Sequence, residues 1–303
     1  MKIDGIDHQR TLRARGLTRQ DVVARTVRGE HRTVRPWYIT DDAPPELVAL
    51  LELGLRPTCL DAASLHGLWT PPHTGVHTFR PRSVRRPPEL DDIRVLPLRR
   101  GRNDGGPKPR HSIVFHGPEL RAWPDDDPVP ALPLVLEHAA RCLPAIKAAV
   151  LFESALQRRL LGRRDVDTVL ERLPRDVRRP LSRVRSDAES GTETAVRWWF
   201  ESRGIAVTAQ ARFPRDARRV DLLVGRSWVI ECDSREFHDD PLSYAQDRER
   251  DLYLESLGFR VTRLSWEQVF LHWDETERQL RTILARNEHR RAPVRRRGRS
   301  RSR

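Results

Sequence analysis

The spacing of apolar residues changes period along the chain, and each change marks a different architecture. From Leu132 to Leu173, apolar residues such as Leu136, Ala139, Leu143, Ile146, Val150, Leu156 and Leu160 keep helical spacing, which predicts two or three packed helices. A Ser190-x-x-Glu193 capping box then opens a helix that carries Val196, Trp199 and Phe200 inward and stops at Gly204. From Ile205 the period falls to two. It predicts a strand over Ile205–Phe213 and two more, Val220–Val224 and Trp228–Asp233, around a Gly225-Arg226-Ser227 hairpin loop. Asp240-Pro241 starts a further helix ending at Gly258, followed by a strand over Phe259–Leu264 and helices over Trp266–Phe270 and Glu275–Asn287.

Upstream the signals are shorter. A helix around Asp7–Arg15 ends at Gly16, and Thr18 caps a second through Arg28, with Leu17, Val22, Val23 and Val27 as its apolar side. His31–Ile39 reads as a hairpin. Helices follow at Pro45–Leu53 and Thr58–Leu68, with strands at Gly75–Phe79, Ile93–Leu98 and Ser112–His116 and a surface loop at Gly101–Arg110. Pro174–Asp187, rich in Arg, reads as a linker.

The C-terminal hairpin fixes its own register. A three-residue loop lays Val224 opposite Trp228, Leu222 opposite Ile230 and Val220 opposite Cys232, so the apolar faces coincide; a two-residue loop would mix them. Asp221 then faces Glu231, with Asp233 two positions on along the same side. Carboxylates on a strand are often only its solvated face, but three crowded on one patch repel unless neutralised, and a hard divalent cation does that best. His238, a proton carrier near neutral pH, comes five residues later.

The run Arg219-Val220-Asp221, then Glu231-Cys232-Asp233, His238, Asp247-x-x-Arg250-Asp251, Leu254 and Gly258 resembles the DUF559 family, within the Vsr-like (very short patch repair) endonucleases of the PD-(D/E)xK superfamily. The resemblance spans about residues 190–269. Ser234 stands where that family has Gly, and Asp233 occupies the place of the lysine common in the superfamily, as in the Vsr-like branch. It implies an endodeoxyribonuclease that uses Mg²⁺ or Mn²⁺. Asp221, Glu231 and the Cys232 carbonyl would hold the ion, with His238 as general base. Asp233 would orient His238 or hold a second ion, Glu193 would lie near the acids, and Arg250 would brace a carboxylate or meet phosphate charge. Arg248 and Arg263 would contact nucleic acid. Cys59–Leu68 and the basic N-terminus are similar to the AbiEi-type antitoxins, with Arg19, Arg25, Arg28, Arg32 and Arg35 as DNA contacts of a partial winged-helix module. The alternative function is therefore a non-catalytic DNA-binding regulator. RNA stays open as a substrate, because metal and carboxylates do not distinguish sugars.

The expected fold is α/β. A restriction-endonuclease-like domain with a mixed sheet flanked by helices (188–289) follows a winged-helix-like segment (1–40) and an α+β middle region (41–175), with a disordered Arg tail (290–303). Charge adds to this picture. Of a net +13, eight charges sit on the arginines of residues 290–303, which hold no acid, so a polyanion partner is expected. No run of 18 apolar residues and no apolar leader occur, so no membrane and a cytoplasmic location are expected. Cys59, Cys142 and Cys232 are few and far apart, which predicts small buried residues, not a disulfide framework or zinc site. The spacings of His66, His73 and His77 fit no zinc pattern either. Oligomeric state has no signature here.

Overall fold

A computed structural model describes residues 1–84, 113–117, 120–213, 216–233 and 241–293, without the side chains of 216–218 and 241–247. The predicted strand at 93–98, the loop at 101–110, Ser234, His238 and residues 294–303 lie outside the described residues. The architecture is mixed α/β with several sheets, and none of the described helices is long and apolar enough to cross a membrane. Two compact units emerge, residues 1–152 with 161–183, and 153–160 with 184–303.

The first unit begins with β1 (Ile6–His8), α1 (Gln9–Ala14), α2 (Arg19–Val27), β2 (Arg32–Val34) and β3 (Trp37–Ile39), the strands forming an antiparallel sheet in the order β1-β3-β2. Thr18 caps α2 in a reciprocal box with Asp21. The expected apolar side of α2 is only partly used: Val22 is buried, but Val23 and Val27 are 54% and 81% exposed.

Next come α3 (Pro45–Glu52), β4 (Arg56–Pro57), α4 (Cys59–Leu65), β5 (Val76–Phe79) and β6 (Ile113–Phe115), the strands ordered β4-β5-β6 with β5 and β6 parallel. Arg56 is buried at the centre, stacked between Trp37 and Trp123 at 5.0 and 4.1 Å and hydrogen-bonded to Asp125. The helical stretch resolves into α5 (Leu132–Cys142), α6 (Ala145–Gln157) and α7 (Arg163–Glu171). Part of the expected linker is ordered: Arg175–Leu181 is helix α8, whose Leu181 is buried, and the boundary between the two units falls inside the predicted stretch, between residues 183 and 184. Pro180 falls in its last turn, with Ser182 its C-cap.

The second unit holds α9 (Gly191–Glu201), β7 (Val207–Phe213), β8 (Asp216–Val224), β9 (Trp228–Asp233), α10 (Pro241–Ser256), β10 (Arg260–Ser265), α11 (Trp266–Phe270) and α12 (Trp273–Ala285). Its sheet runs β10-β9-β8-β7, antiparallel except for β10 beside β9, the pair that α10 connects. Strand β9 is interior, so Trp228, Val229 and Ile230 are buried in succession, whereas β7 at the edge is half-exposed. The predicted register is found: Leu222 pairs with Ile230, Leu223 with Val229 and Val224 with Trp228. Gly225 (φ +61°) is required at the turn, since a Cβ there would sit 2.4 Å from the His289 carbonyl oxygen. Strict alternation fails at one place. Val220, expected with Leu222 and Val224, clusters with Ala211, Val229 and Leu254.

Buried electrostatics hold α9. Glu153, fully buried, accepts from Thr194 Oγ1 (2.8 Å), Trp198 Nε1 (3.2 Å) and the Arg185 backbone N–H (3.1 Å), and pairs with the equally buried Arg197. Arg197 also donates to Glu201 at 2.7 Å.

Candidate metal-dependent active site

Register carries Asp221 and Glu231 toward each other at the far end of the β8–β9 hairpin. The described backbone pairing stops at Leu222 and Ile230. Beyond it the acids replace the ladder. The Cys232 N–H donates to Asp221 Oδ2 at 2.8 Å, and the Asp221 N–H points at Glu231 Oε2 at 3.4 Å. The two carboxyl groups are themselves within hydrogen-bonding reach of each other. Burial pushes both above the ordinary carboxylate range, and at Glu231 the charge of Asp221 adds to it. Such a pair shares either a proton or a cation.

The surrounding side chains brace this pair. Arg250, one turn before Leu254 on α10, places a guanidinium nitrogen 3.2 Å from Glu231 Oε1, but without hydrogen-bond alignment, so that buried oxygen has charge compensation and no donor. Glu193 at the start of α9 is 3% exposed and accepts from the Glu189 N–H (3.0 Å) and Gln210 Nε2 (2.9 Å). Ser190 caps the Glu193 N–H at 3.1 Å as predicted, but Glu193 reaches back to Glu189 instead of to Ser190. Burial, then the charge of Asp221, pushes its carboxyl up to about 7.

Asp233 stands apart from the pair. It accepts from Arg263 Nη1 at 3.0 Å, and Arg263 is also gripped bidentately by Asp251 at 2.8 and 3.0 Å. Arg263, expected to contact nucleic acid, is thus occupied by carboxylates: Asp233 lies opposite Ser265 in the parallel β9–β10 register, and α10 brings Asp251 over the same corner. An open depression of about 400 Å³ lies here, lined by Asp233, Arg248, Asp251 and Arg263 among others.

Asp221, Glu231, Glu193 and Asp233 therefore gather around the buried Cys232, whose thiol burial and then these four charges push well up. They do not close to one point. Among the described residues, the set of ligand atoms mutually within 4.8 Å is Cys59, His77, His116 and Cys142, in the first unit. Sequence reasoning missed that group; its members lie on four separate elements, so no spacing reveals them. It also placed Cys142 inside, whereas Cys142 is exposed. His66 and His73 take other partners, the Pro130 carbonyl at 2.9 Å and Asp61 at 3.4 Å. On the N-terminal side, Arg19, Arg25, Arg28, Arg32 and Arg35 are all exposed; Arg28 pairs with Glu30 and Arg32 with Glu52.

A divalent cation suits the acid pair. The donors are hard oxygens, the half-buried Asp221 sits beside the buried Glu231, and Glu231 Oε1 lacks a hydrogen-bond donor. Compared with protein-family models, curated proteins and solved structures, the chain matches none.

Proposed function

We propose that the second unit is a divalent-cation-dependent endonuclease that hydrolyses DNA phosphodiester bonds. The observation that carries this reading is the Asp221–Glu231 pair at the far end of the hairpin, Glu231 buried and Asp221 half-buried, two acids that a shared proton or cation reconciles. Its setting, a four-stranded mixed sheet flanked by helices, suits the Vsr-like, restriction-endonuclease-like fold that the resemblance implies. Asp221, Glu231 and the Cys232 carbonyl would hold Mg²⁺ or Mn²⁺. When bound, such an ion polarises a phosphate and acidifies water.

The remaining roles belong to the chain. Arg250 keeps Glu231 oriented and partly neutralised, so it serves as a positioning residue. Arg263 and Asp251 fix Asp233 at the mouth of the depression. Glu193, with its carboxyl near 7, exists in both forms at neutral pH and can take up or return a proton. His238 remains the proton carrier in this reading.

The test is a supercoiled-plasmid assay with Mg²⁺, Mn²⁺ or chelator. Cutting should require the ion and fall by about a thousandfold in Asp221→Ala and Glu231→Ala, the loss of several kcal/mol of charge stabilisation. Intact plasmid with either ion, from folded protein, would sink the proposal. A second reading, a non-catalytic DNA-binding regulator, draws on the exposed arginines of α2 and the β2–β3 hairpin. Footprint protection unchanged by Asp221→Ala, together with absent cutting, would favour it.

A further inference from the structure

Four side chains far apart in sequence meet in the first unit. Cys59 opens α4, His77 lies in β5, His116 follows β6 and Cys142 closes α5. One ligand atom from each lies within 4.8 Å of all the others. His77 Nδ1 is 2.9 Å from His116 Nε2, and Cys142 Sγ is 3.9 Å from His77 Nδ1. Tetrahedral coordination with bonds of about 2.3 Å to sulfur and about 2.0–2.1 Å to nitrogen sets ligand atoms about 3.3–3.8 Å apart. The observed separations bracket that range.

We infer that Cys59, His77, His116 and Cys142 form a zinc site with a structural role. Two thiols and two imidazoles are a borderline-soft donor set, which suits Zn²⁺ and is a poor match for Mg²⁺. Four protein donors leave no position for a substrate, so the site is closed, unlike the acid pair of the second unit. Cys59, His77 and His116 are buried, while Cys142 is exposed and gives an ion its way in.

The neighbours hold these donors in place, as the outer sphere of a metal site does. The His77 backbone N–H donates to Asp61 Oδ2 at 2.6 Å, fixing the strand that carries the ring, and Asp61 Oδ1 lies 3.4 Å from His73 Nε2. The His116 ring stacks on His138 with centroids 5.9 Å apart, and His138 Nδ1 lies 2.8 Å from Thr58 Oγ1. Thr58 therefore leaves α4 without a side-chain cap, and Cys59 beside it takes a left-handed φ of 49°, which a non-glycine residue keeps only when its surroundings impose it. An ion here would join α4, β5, the residue after β6 and the end of α5, so its binding free energy would become folding free energy.

The rival occupant of the same space is a Cys59–Cys142 disulfide. The experiment uses the full chain, produced with zinc in the medium and purified without chelator. Elemental analysis should find about one zinc per chain. Exchange to Co²⁺ should give tetrahedral ligand-field bands with thiolate-to-cobalt charge transfer. Cys142→Ser, at the accessible position, should lose most of the zinc, while Asp221→Ala should keep it. Folded wild-type protein with only traces of zinc and no cobalt charge-transfer band would overturn the inference, and so would a Cys59–Cys142 disulfide in its peptide map. Full zinc retention in folded Cys142→Ser and His116→Ala proteins would do so as well. If those variants fail to fold, the wild-type zinc content and cobalt spectrum decide.

Discussion

The two units gather opposite kinds of donor, and they do so by opposite routes. In the second unit, Asp221 and Glu231 come from neighbouring strands of one hairpin, hard oxygens at the end of a ladder. In the first, Cys59, His77, His116 and Cys142 come from four elements and present sulfur and nitrogen. Burial raises the pKa of both acids, and at Glu231 the charge of Asp221 adds to it; the Cys/His group brings four donors together, which suits a closed site. One arrangement suits chemistry on a substrate, the other suits holding a fold together. The sharpest way to break this contrast is a crossed experiment. Asp221→Ala should abolish cation-dependent cutting, by about a thousandfold, with zinc content unchanged. Cutting that followed zinc, and not Asp221, would reverse the assignment.

A second test asks whether the acid site depends on supports within its own unit. Glu153 and Arg197 are both fully buried, and Thr194, Trp198 and the Arg185 N–H converge on Glu153. Glu153→Ala leaves the buried Arg197 guanidinium with Glu201 as its carboxylate, which should cost about 3 kcal/mol in denaturant unfolding. Arg197→Met added to it should restore part of that, because the double change removes the under-compensated charge. Cutting should fall with Glu153→Ala, since α9 carries Glu193, while zinc content holds. A loss under about 1 kcal/mol would mean that the ion pair is not what anchors α9.

How much of this was legible in the sequence follows from the same contrast. The hairpin register could be read because its apolar set repeats every second residue within a dozen positions, so only one loop length keeps the faces matched. The capping residues Thr18 and Ser190 were legible for the same local reason. The Cys/His group was not, since nothing local links position 59 to 142; that proximity is made by the packing of α4, β5 and α5. The carboxylate partners of Arg263 were not legible because Asp251 arrives on a separate helix, 12 residues away in sequence. The composition of Pro174–Asp187 pointed to the stretch where the unit boundary falls, but its arginines and prolines hid helix α8 and the buried Leu181. The packing of Val220 against Ala211, Val229 and Leu254 departs from the period-two pattern, and no residue type in the sequence announces it.

The crowding of acids also predicts a pH signature confined to the second unit. Glu193 is raised from an ordinary 4.5 to about 7 by burial and by Asp221. The folded state thus binds this proton more tightly than the unfolded chain does. Its contribution is fully present below about 4.5 and is lost as pH rises through about 7, a change on the order of 3 kcal/mol. Unfolding free energy measured from pH 4.5 to 8 should therefore fall more steeply in wild type than in Glu193→Gln, and the variant should be the more stable above pH 7. Mg²⁺ should raise the wild-type melting temperature at pH 8 more than at pH 5, because the ion and the proton compete for the same acids. Parallel pH profiles for the two proteins would remove Glu193 from the electrostatic account of the site.

The smallest effects separate arginines that are engaged from arginines that are presented. Arg250 and Arg263 sit on carboxylates of the second unit, at 3.2 Å from Glu231 and at 2.8 to 3.0 Å from Asp251 and Asp233. Arg19 and Arg35 lie exposed in the first, beside an α2 whose Val23 and Val27 are also open to solvent. A phosphate contact contributes through released counterions, so each one lost should lower the slope of log affinity against log salt by about one. Arg19→Ala and Arg35→Ala should therefore weaken binding of a DNA duplex modestly and flatten its salt dependence, with folding unchanged. Arg263→Ala should act the other way round. It leaves Asp233 and Asp251 facing each other without a cation, so stability should drop while the salt slope stays put. Titrations of these three proteins at several salt concentrations, read beside their melting curves, distinguish the two classes; an equal loss of slope in Arg263→Ala would move that arginine back among the DNA contacts and release Asp233 for the ion.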